Sequence, residues 1–134
     1  MASYKLNYFN GRGRAELVRL IFAATGTSYT DNRISDWPAN KDEQPLGQLP
    51  TMNTHGTTLV QSIAIARYVA RECKLAGPDN LRQAQADAIV DTVMELVNAY
   101  YSKIFPIKDD AEKVNTHCKL DCFLLNMASI FIMK

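Results

Sequence analysis

The sequence has no excess of charge of either sign and no long hydrophobic run. Fifteen Lys and Arg residues stand against 14 Asp and Glu residues, which leaves a net charge of +1 over 134 residues. A nucleic-acid partner calls for a basic surface, so this balance argues against one. The longest apolar stretch, residues 123–133, is interrupted by Asn126 and Ser129 and is too short to span a bilayer. We therefore expect neither a nucleic-acid nor a membrane partner.

Cysteine is scarce as well. The three present, Cys73, Cys118 and Cys122, form an odd and sparse set, which favours free thiols in a reducing compartment. The opening MASYKLNYFN contains no apolar signal core, so we expect a cytoplasmic protein. His117 lies beside Cys118, but three potential ligands with no second pair are weak evidence for a metal site. We interpret these residues as incidental and expect no metal.

Apolar residues make up 47% of the sequence, which suffices for a packed core. Their spacing predicts strands at 4–9, 28–34, 49–53 and 57–60 and helices at 15–25 and 63–73. Ser62 is the predicted N-cap of the second helix, and residues 35–48 form an irregular loop with room for one helical turn. The order predicts a small α/β sandwich with a parallel βαβ unit, which Gly77-Pro78 ends.

A different pattern begins at Leu81. The apolar residues that follow have helical spacing, which predicts a long amphipathic helix running to about Ile104. Asp87, Asp91 and Glu95 recur every four residues on another face of this helix. The simplest interpretation is a solvated face, although like charges at this spacing oppose the helix slightly.

The stretch NYFNGRGRAE, residues 7–16, places two glycines between a predicted strand and a predicted helix. A dinucleotide-binding loop begins in this way, but here Glu16 occupies the third glycine position, and its carboxylate would repel a pyrophosphate. The lysine of a P-loop is missing as well. Taken alone, the stretch predicts a glycine turn that leads into the helix, with its arginines in solvent.

Three further features have ordinary explanations when each is taken alone. Leu49-Pro50 begins a predicted strand, where proline has no N–H to donate to a ladder. Gln61-Ser62 stands at a strand-to-helix turn, and helix N-termini attract anions. Trp37 and Lys41 lie in the irregular loop. A turn proline, an N-cap and a loop anchor with a solvated lysine would account for them singly.

Taken together and in order, these segments resemble the glutathione transferases. YFNGRGRAE is followed by Trp37 and Lys41, by PLGQLP and by QSIAIARYVARE, and DAIVDT at 87–92 extends the likeness, which covers roughly residues 3–105. The sequence is most similar to the sigma class, which includes glutathione-dependent prostaglandin D synthases. The resemblance implies a homodimer whose α/β thioredoxin-like N-terminal domain, of order β-α-β-α-β-β-α, spans 2–77, followed by an all-α C-terminal domain at 79–134.

The resemblance also implies a catalytic residue. Tyr8 matches the family's catalytic tyrosine, whose hydroxyl donates a hydrogen bond to the sulfur of glutathione. A donor to the charged form lowers the pKa of a thiol, so glutathione ionises near neutral pH. Arg14 matches an arginine that supports the tyrosine electrostatically. No role is implied for Arg12, which we expect in solvent.

Contacts to the rest of glutathione are implied in the same way. Trp37 and Lys41 match residues that bind the glycine end, with Lys41 as the charge partner of its carboxylate. Leu49, before a presumed cis Pro50, pairs its backbone with the cysteinyl part, and the Gln61-Ser62 pair binds the γ-glutamyl carboxylate. The implied glutathione-binding residues are Tyr8, Arg14, Trp37, Lys41, Gln48, Leu49, Pro50, Gln61, Ser62 and Glu95.

The acidic stripe gains a second interpretation from the resemblance. Glu95 matches an aspartate position that contacts the amine of glutathione bound to the partner subunit, and a divalent ion is the other ligand to consider. Met94 stands where the prostaglandin D synthases have a carboxylate, which argues against magnesium binding and against the isomerase role. Glutathione is therefore the expected co-substrate, with no metal required.

The resemblance fades after about Lys113, and we expect an incomplete C-terminal domain. The apolar segment 123–133 would then lack later helices to cover it, and exposed apolar surface favours association. The implied activity is conjugation of the glutathione thiolate to hydrophobic electrophiles. The alternatives are isomerisation of prostaglandin H2 to D2, a non-catalytic protein that binds glutathione or lipophilic molecules, and a crystallin-like structural protein.

Overall fold

A four-stranded mixed sheet forms the centre of the first part of the chain, in a computed structural model that describes residues 4–104 and 106–108. Its strands are β1 (Lys5–Phe9), β2 (Thr30–Ile34), β3 (Thr51–Thr54) and β4 (Thr57–Val60), in the spatial order β2-β1-β3-β4. β1 and β2 are parallel, whereas β3 is antiparallel to both β1 and β4. Parallel neighbours need a crossover connection, and a helix supplies it here. The predicted thioredoxin-like α/β fold is therefore confirmed.

Two helices pack together on one face of this sheet. α1 (Glu16–Thr25) follows a short 3-10 turn at Gly13–Ala15, and α3 (Ser62–Glu72) follows β4. With alternate side chains of β1 and β3 they bury one apolar core, consisting of Tyr4, Leu6, Ala15, Val18, Phe22, Met52, Ile65, Ala66 and Val69. Burial of such side chains contributes about 25 cal/mol per Å² of apolar surface removed from water, so this layer stabilises the fold that carries the site.

Successive side chains of a strand point to opposite faces of the sheet, and those on the face opposite the core are polar. The side-chain amide of Asn32 on β2 donates to that of Asn7 on β1, with 2.8 Å between nitrogen and oxygen. Asn7 in turn donates to Thr51 (3.1 Å) and Asn53 (2.8 Å) on β3, and Asn53 donates to Thr58 on β4 (2.9 Å). One row of hydrogen-bonded side chains thus crosses all four strands.

Between β2 and β3 the chain forms a one-turn helix, α2 (Trp37–Asn40). It begins at Asp36, whose side chain accepts a hydrogen bond from the backbone N–H of Ala39 at 3.3 Å, and Pro38 lies in its first turn, where a missing N–H costs nothing. The predicted helical turn in this loop is therefore present. It carries Trp37 to the edge of the cavity described below.

A long helix, α4 (Asn80–Ala99), follows, and residues Tyr100–Ile104 continue it with π-type hydrogen bonding. Contacts divide the chain into two compact units, with the boundary between Gln83 and Ala84 inside this helix. None of the residues of α4 is buried within the described part of the chain; Ile89 and Val93, for example, are 53% and 50% exposed. Within the described ranges, no helix is long and apolar enough to cross a membrane.

The boundaries differ from the sequence predictions in two informative places. Ser62 is the first residue of α3 rather than its N-cap; the cap is Gln61, which has a positive φ of 70° and makes no side-chain capping bond. β3 begins at Thr51, two residues later than predicted, since Leu49 and Pro50 form the turn that precedes it. The predictions for His117, Cys118, Cys122 and 123–133 concern residues outside the described ranges.

Candidate functional site

A cavity of about 510 Å³ opens in the first unit where β1, α2, β4 and the start of α3 approach one another. β1 and β4 both end at this cavity, and open α/β sheets form ligand crevices outside the carboxyl ends of their strands. The residues that line the cavity are Phe9, Arg14, Trp37, Leu46, Gly47, Gln48, Leu49, Pro50, Val60, Gln61 and Ser62. Polar and apolar side chains are mixed, as in a site for a small polar molecule.

The apolar part of the lining is centred on two aromatic rings. Trp37 packs edge-to-face on Phe9, with 5.3 Å between ring centroids and an interplanar angle of 77°. Such pairs fix the position of both rings. The aliphatic stem of Lys41, the C-cap residue that follows α2, lies against Gly47, and Lys41 itself is exposed. Its ammonium is therefore free to turn toward an anion at this edge.

Tyr8 lies next to the cavity but is not one of its lining residues. It is half-buried, and its hydroxyl oxygen accepts a hydrogen bond from the backbone N–H of Arg14, which does line the cavity, at 3.1 Å. A hydroxyl has one hydrogen to donate besides its acceptor sites. Because the Arg14 N–H occupies an acceptor site, the hydrogen of Tyr8 is left for an anionic acceptor in the cavity.

The turn between β4 and α3 places two polar residues at the helix N-terminus. Gln61 reaches its positive φ at a position that most non-glycine residues avoid, and Ser62 lies buried at 8% exposure. The backbone N–H groups of the first helical turn point away from the helix and attract anions. This end of the cavity is therefore suited to a carboxylate.

The Leu49-Pro50 peptide bond is cis. Pro50 is buried and Leu49 is half-buried, and both line the cavity just before β3. The backbone of Leu49 precedes the strand and has no partner assigned in the sheet register. This segment can pair with an extended peptide by adding one short strand, a common mode of peptide recognition.

The sequence analysis did not single out Arg19, which lies beside Tyr8. It is 7% exposed, and it hydrogen-bonds to Glu16 at 3.1 Å and to the carbonyl oxygen of Gly11 at 2.6 Å. The Asp31 carboxylate lies 3.3 Å from its Nε, and its guanidinium carbon lies 5.7 Å from the centroid of the Tyr8 ring. The signal that could have found it is an arginine within an otherwise apolar helix, since buried arginines need partners.

Seven of the ten sequence-predicted glutathione-binding residues line this one cavity: Arg14, Trp37, Gln48, Leu49, Pro50, Gln61 and Ser62. Tyr8 and Lys41 contact lining residues, as described above. Glu95 is exposed on α4 in the second unit. Among the residues the structure describes, no group of three or more His, Cys, Asp and Glu side chains is arranged to hold a metal ion.

Comparison with known proteins identifies relatives of this architecture. The sequence family described as the glutathione S-transferase N-terminal domain matches residues 4–71, about half of the chain. Hematopoietic prostaglandin D synthase of Rattus norvegicus is 47% identical over 102 residues, which are 75% of this chain and 51% of that protein. S-crystallin SL11 of Nototodarus sloanii is 41% identical over 116 residues, which are 84% of this chain and 56% of that protein.

A solved structure agrees with these sequence matches. The crystal structure of a major nematode-specific GST from C. elegans superposes with a TM-score of 0.79 at 38% identity, covering 94% of this chain and 68% of that one. The chain spans about half the length of the curated relatives that it matches. The match includes the whole of the cavity described above, which lies between Phe9 and Ser62.

Proposed function

Because this chain belongs to the glutathione S-transferase family, we propose that it conjugates the thiolate of glutathione to hydrophobic electrophiles. The observation that carries the proposal is the single cavity into which the fold gathers seven residues expected to bind glutathione. Those residues come from four separate segments of the sequence, so their meeting is a property of the fold. A tripeptide of glutathione's length fits a crevice of about 510 Å³.

The reactive step depends on Tyr8. Its hydroxyl donates a hydrogen bond to the glutathione sulfur, while its oxygen accepts one from the N–H of Arg14. Hydrogen bonds in a chain polarise one another, so the accepted bond strengthens the donated one. A free thiol with a pKa near 8.5 is only a few per cent ionised at neutral pH, and lowering that pKa by about two units raises the thiolate fraction roughly 25-fold.

The remaining residues bind the two ends of the peptide. Trp37 and Lys41 contact the glycine carboxylate, where the exposed ammonium of Lys41 forms a charge-assisted hydrogen bond. Ser62 and the N-terminus of α3 bind the γ-glutamyl carboxylate. Leu49 pairs its backbone with the cysteinyl residue, which places the sulfur between the two ends and near Tyr8. These contacts are the same in the ground state and the transition state, so they set affinity more than rate.

We further propose a sigma-class enzyme that is cytoplasmic and works as a homodimer. The glutathione site lies in a domain at 2–77, and the helical domain at 79–134 supplies the subunit contact. Support comes from α4, on which Ile89 and Val93 lie four residues apart and are 53% and 50% exposed. Exposed apolar side chains at helical spacing suit a helix-to-helix contact. Glu95, which the resemblance matches to a residue that contacts the partner's glutathione amine, is exposed on the same helix.

One alternative has an observation of its own. The identity of 47% with a hematopoietic prostaglandin D synthase favours isomerisation of a prostaglandin endoperoxide as a second candidate function. The same cavity and the same Tyr8 would serve both reactions, because each begins with a glutathione thiolate. Measuring product formation from prostaglandin H2 alongside conjugation of chlorodinitrobenzene separates the two. Prostaglandin D2 formation without conjugation would select the alternative.

The decisive experiment replaces the hydroxyl of Tyr8. We expect Tyr8→Phe to lower the conjugation rate by an amount corresponding to about 1–3 kcal/mol, the value of one lost donor to a developing charge. Glutathione affinity, followed by the fluorescence of Trp37, the one tryptophan in the sequence, should stay near that of the parent. Tyr29→Phe, whose ring stacks on Phe22 away from the cavity, is the matched control. Equal conjugation by parent and Tyr8→Phe would remove Tyr8 from the mechanism.

A further inference from the structure

Arg19 carries a positive charge into the interior of the first unit. Its side chain is 8% exposed, and Glu16 and Asp31 compensate its charge at 3.1 Å and 3.3 Å. Asp31 is itself bonded at 2.7 Å to Arg33, which is 40% exposed. Burying a charged group is expensive even when it is paired, so these ion pairs alone are weak evidence that Arg19 stabilises the fold. Ion pairs thus link four charged side chains, from Arg33 at the surface to Arg19 beside Tyr8.

Arg19, the buried member of these ion pairs, contacts the segment that bears Tyr8. The Arg19 guanidinium carbon lies over the Tyr8 ring at 5.7 Å from its centroid, within the range of a cation–π contact. Nη1 donates to the carbonyl oxygen of Gly11 at 2.6 Å. Nη2 is buried and has no hydrogen-bond partner among the described residues. The same guanidinium therefore contacts the ring of Tyr8 and the loop that follows it.

We propose that Arg19 is a positioning residue for thiolate formation: it fixes the Tyr8 ring and the Gly11 loop so that the hydroxyl meets both the Arg14 N–H and the bound sulfur. The inference rests on the proposed function and deepens it. A planar guanidinium can present its Nε to Asp31, its Nη1 to both Glu16 and Gly11, and its face to an aromatic ring, whereas a lysine ammonium is a point charge. Charge alone would therefore be insufficient.

The test compares the parent with Arg19→Lys, Arg19→Met and the control Arg33→Met. The control removes an arginine from the same Asp31 carboxylate but leaves the contact with Tyr8 in place. Three quantities are measured on each full-length chain: glutathione affinity from Trp37 fluorescence, the fraction of bound glutathione that is thiolate from its ultraviolet absorbance, and kcat with chlorodinitrobenzene. Circular dichroism shows which variants are folded.

We expect both Arg19 variants to lose about threefold in thiolate fraction and in kcat at about pH 7, as a rise of about one unit in a thiol pKa near 6.5 implies, while glutathione affinity changes less than about twofold, since its binding contacts remain. The Arg33→Met chain should match the parent. If Arg19→Met fails to fold, the result for Arg19→Lys decides the question alone. A Lys variant equal to the parent in thiolate fraction would overturn the proposal, as would parallel losses of affinity and kcat or an equal loss in Arg33→Met. Absence of thiolate in the parent itself would instead refute the proposed function, and this inference with it.

Discussion

The Tyr8 hydroxyl occupies the space that a Cβ atom on Gly13 would need, since the two positions are 2.7 Å apart. Gly13 also has a positive φ of 53°, which L-residues adopt reluctantly. Gly13, the second glycine of the NGRG turn, is therefore required for two reasons. It allows the backbone to turn into the 3-10 segment, and it leaves room for the hydroxyl that we expect to act on the thiol.

Replacing Gly13 should therefore impair chemistry more than folding. In Gly13→Ala the new methyl group pushes the Tyr8 hydroxyl away from the Arg14 N–H, so we expect kcat to fall at least about tenfold, in line with the loss of a catalytic hydrogen bond. Gly26→Ala is the control, because Gly26 has a similar φ of 62° with no atom within 4 Å of its Cβ position. Both variants should lose about 1 kcal/mol of stability from backbone strain. Equal kcat in the two variants would contradict this interpretation of the 2.7 Å contact.

Ser62 should affect binding rather than turnover. Its hydroxyl lies at the N-terminus of α3, where we expect a carboxylate that takes no part in the reaction. We predict that Ser62→Ala raises the KM for glutathione several-fold, about 1 kcal/mol of uniform binding, and leaves kcat nearly unchanged. Ser28→Ala, an exposed serine before β2, should change neither constant. Steady-state kinetics with varied glutathione measures both, and an unchanged saturation curve for Ser62→Ala would exclude the role.

The sequence predicted most of this fold because its signals were local. The period-two run at β1, the apolar stretch of α1 and the stop at Gly26 each depend on neighbouring residues, and the structure has them within one or two positions. The predicted N-cap of α3 was wrong because Gln61 adopts a positive φ. The path of the chain between β4 and α3 sets this conformation, and local sequence preference does not predict it. A residue of this kind marks a place where tertiary structure overrides propensity.

Predicting the site from the sequence was uneven for a related reason. Residues in ordered motifs, such as Trp37 and the Gln61-Ser62 pair, could be proposed because the family resemblance rests on the order of those motifs, and the structure places these residues at one cavity. The buried position of Arg19 was not predicted, because its partners Asp31 and Gly11 are brought close to it by the parallel pairing of β1 and β2. Contacts between distant segments depend on sheet register, and one sequence does not state which charges will be neighbours.

The amide row across the polar face of the sheet should contribute measurably to stability. Asn7 is 6% exposed and bonds to Asn32, Thr51 and Asn53, so truncating it removes three hydrogen bonds, one of them to the fully buried Thr51. We predict that Asn7→Ala lowers the free energy of unfolding by about 1–3 kcal/mol. Asn53→Ala, at an exposed position in the same row, should lower it by less than about 1 kcal/mol. Urea unfolding measures both, and equal losses would show that burial of the row is unimportant.

Alkaline pH should destabilise the first unit through Tyr4, which is buried, and Tyr29, which is half-buried. Burial raises the pKa of Tyr4, with the Glu72 charge as a smaller cause. Burial likewise raises the pKa of Tyr29, assisted by Asp31 and opposed by Arg19. In the unfolded chain these phenols ionise near pH 10, whereas in the folded chain they keep their protons to higher pH. Above about pH 10 the unfolded state therefore binds fewer protons, so the stability that is fully present at lower pH is lost as pH rises.

Replacing either tyrosine with phenylalanine should therefore make stability fall less steeply as pH rises in the alkaline range. Each raised tyrosine contributes at most about 1.4 kcal/mol of lost stability per pH unit, and only between its unfolded and folded pKa values. We predict that Tyr4→Phe, which keeps the ring that packs on Phe22 at 5.2 Å, reduces the fall in melting temperature between about pH 9 and pH 11. Tyr29→Phe should do the same, and the double variant should flatten the profile further because the two phenols titrate at separate positions. Below about pH 8 neither change alters the protons bound on folding, so the variants should run parallel to the parent there. Profiles that stay parallel above pH 10 as well would mean that other groups govern alkaline unfolding.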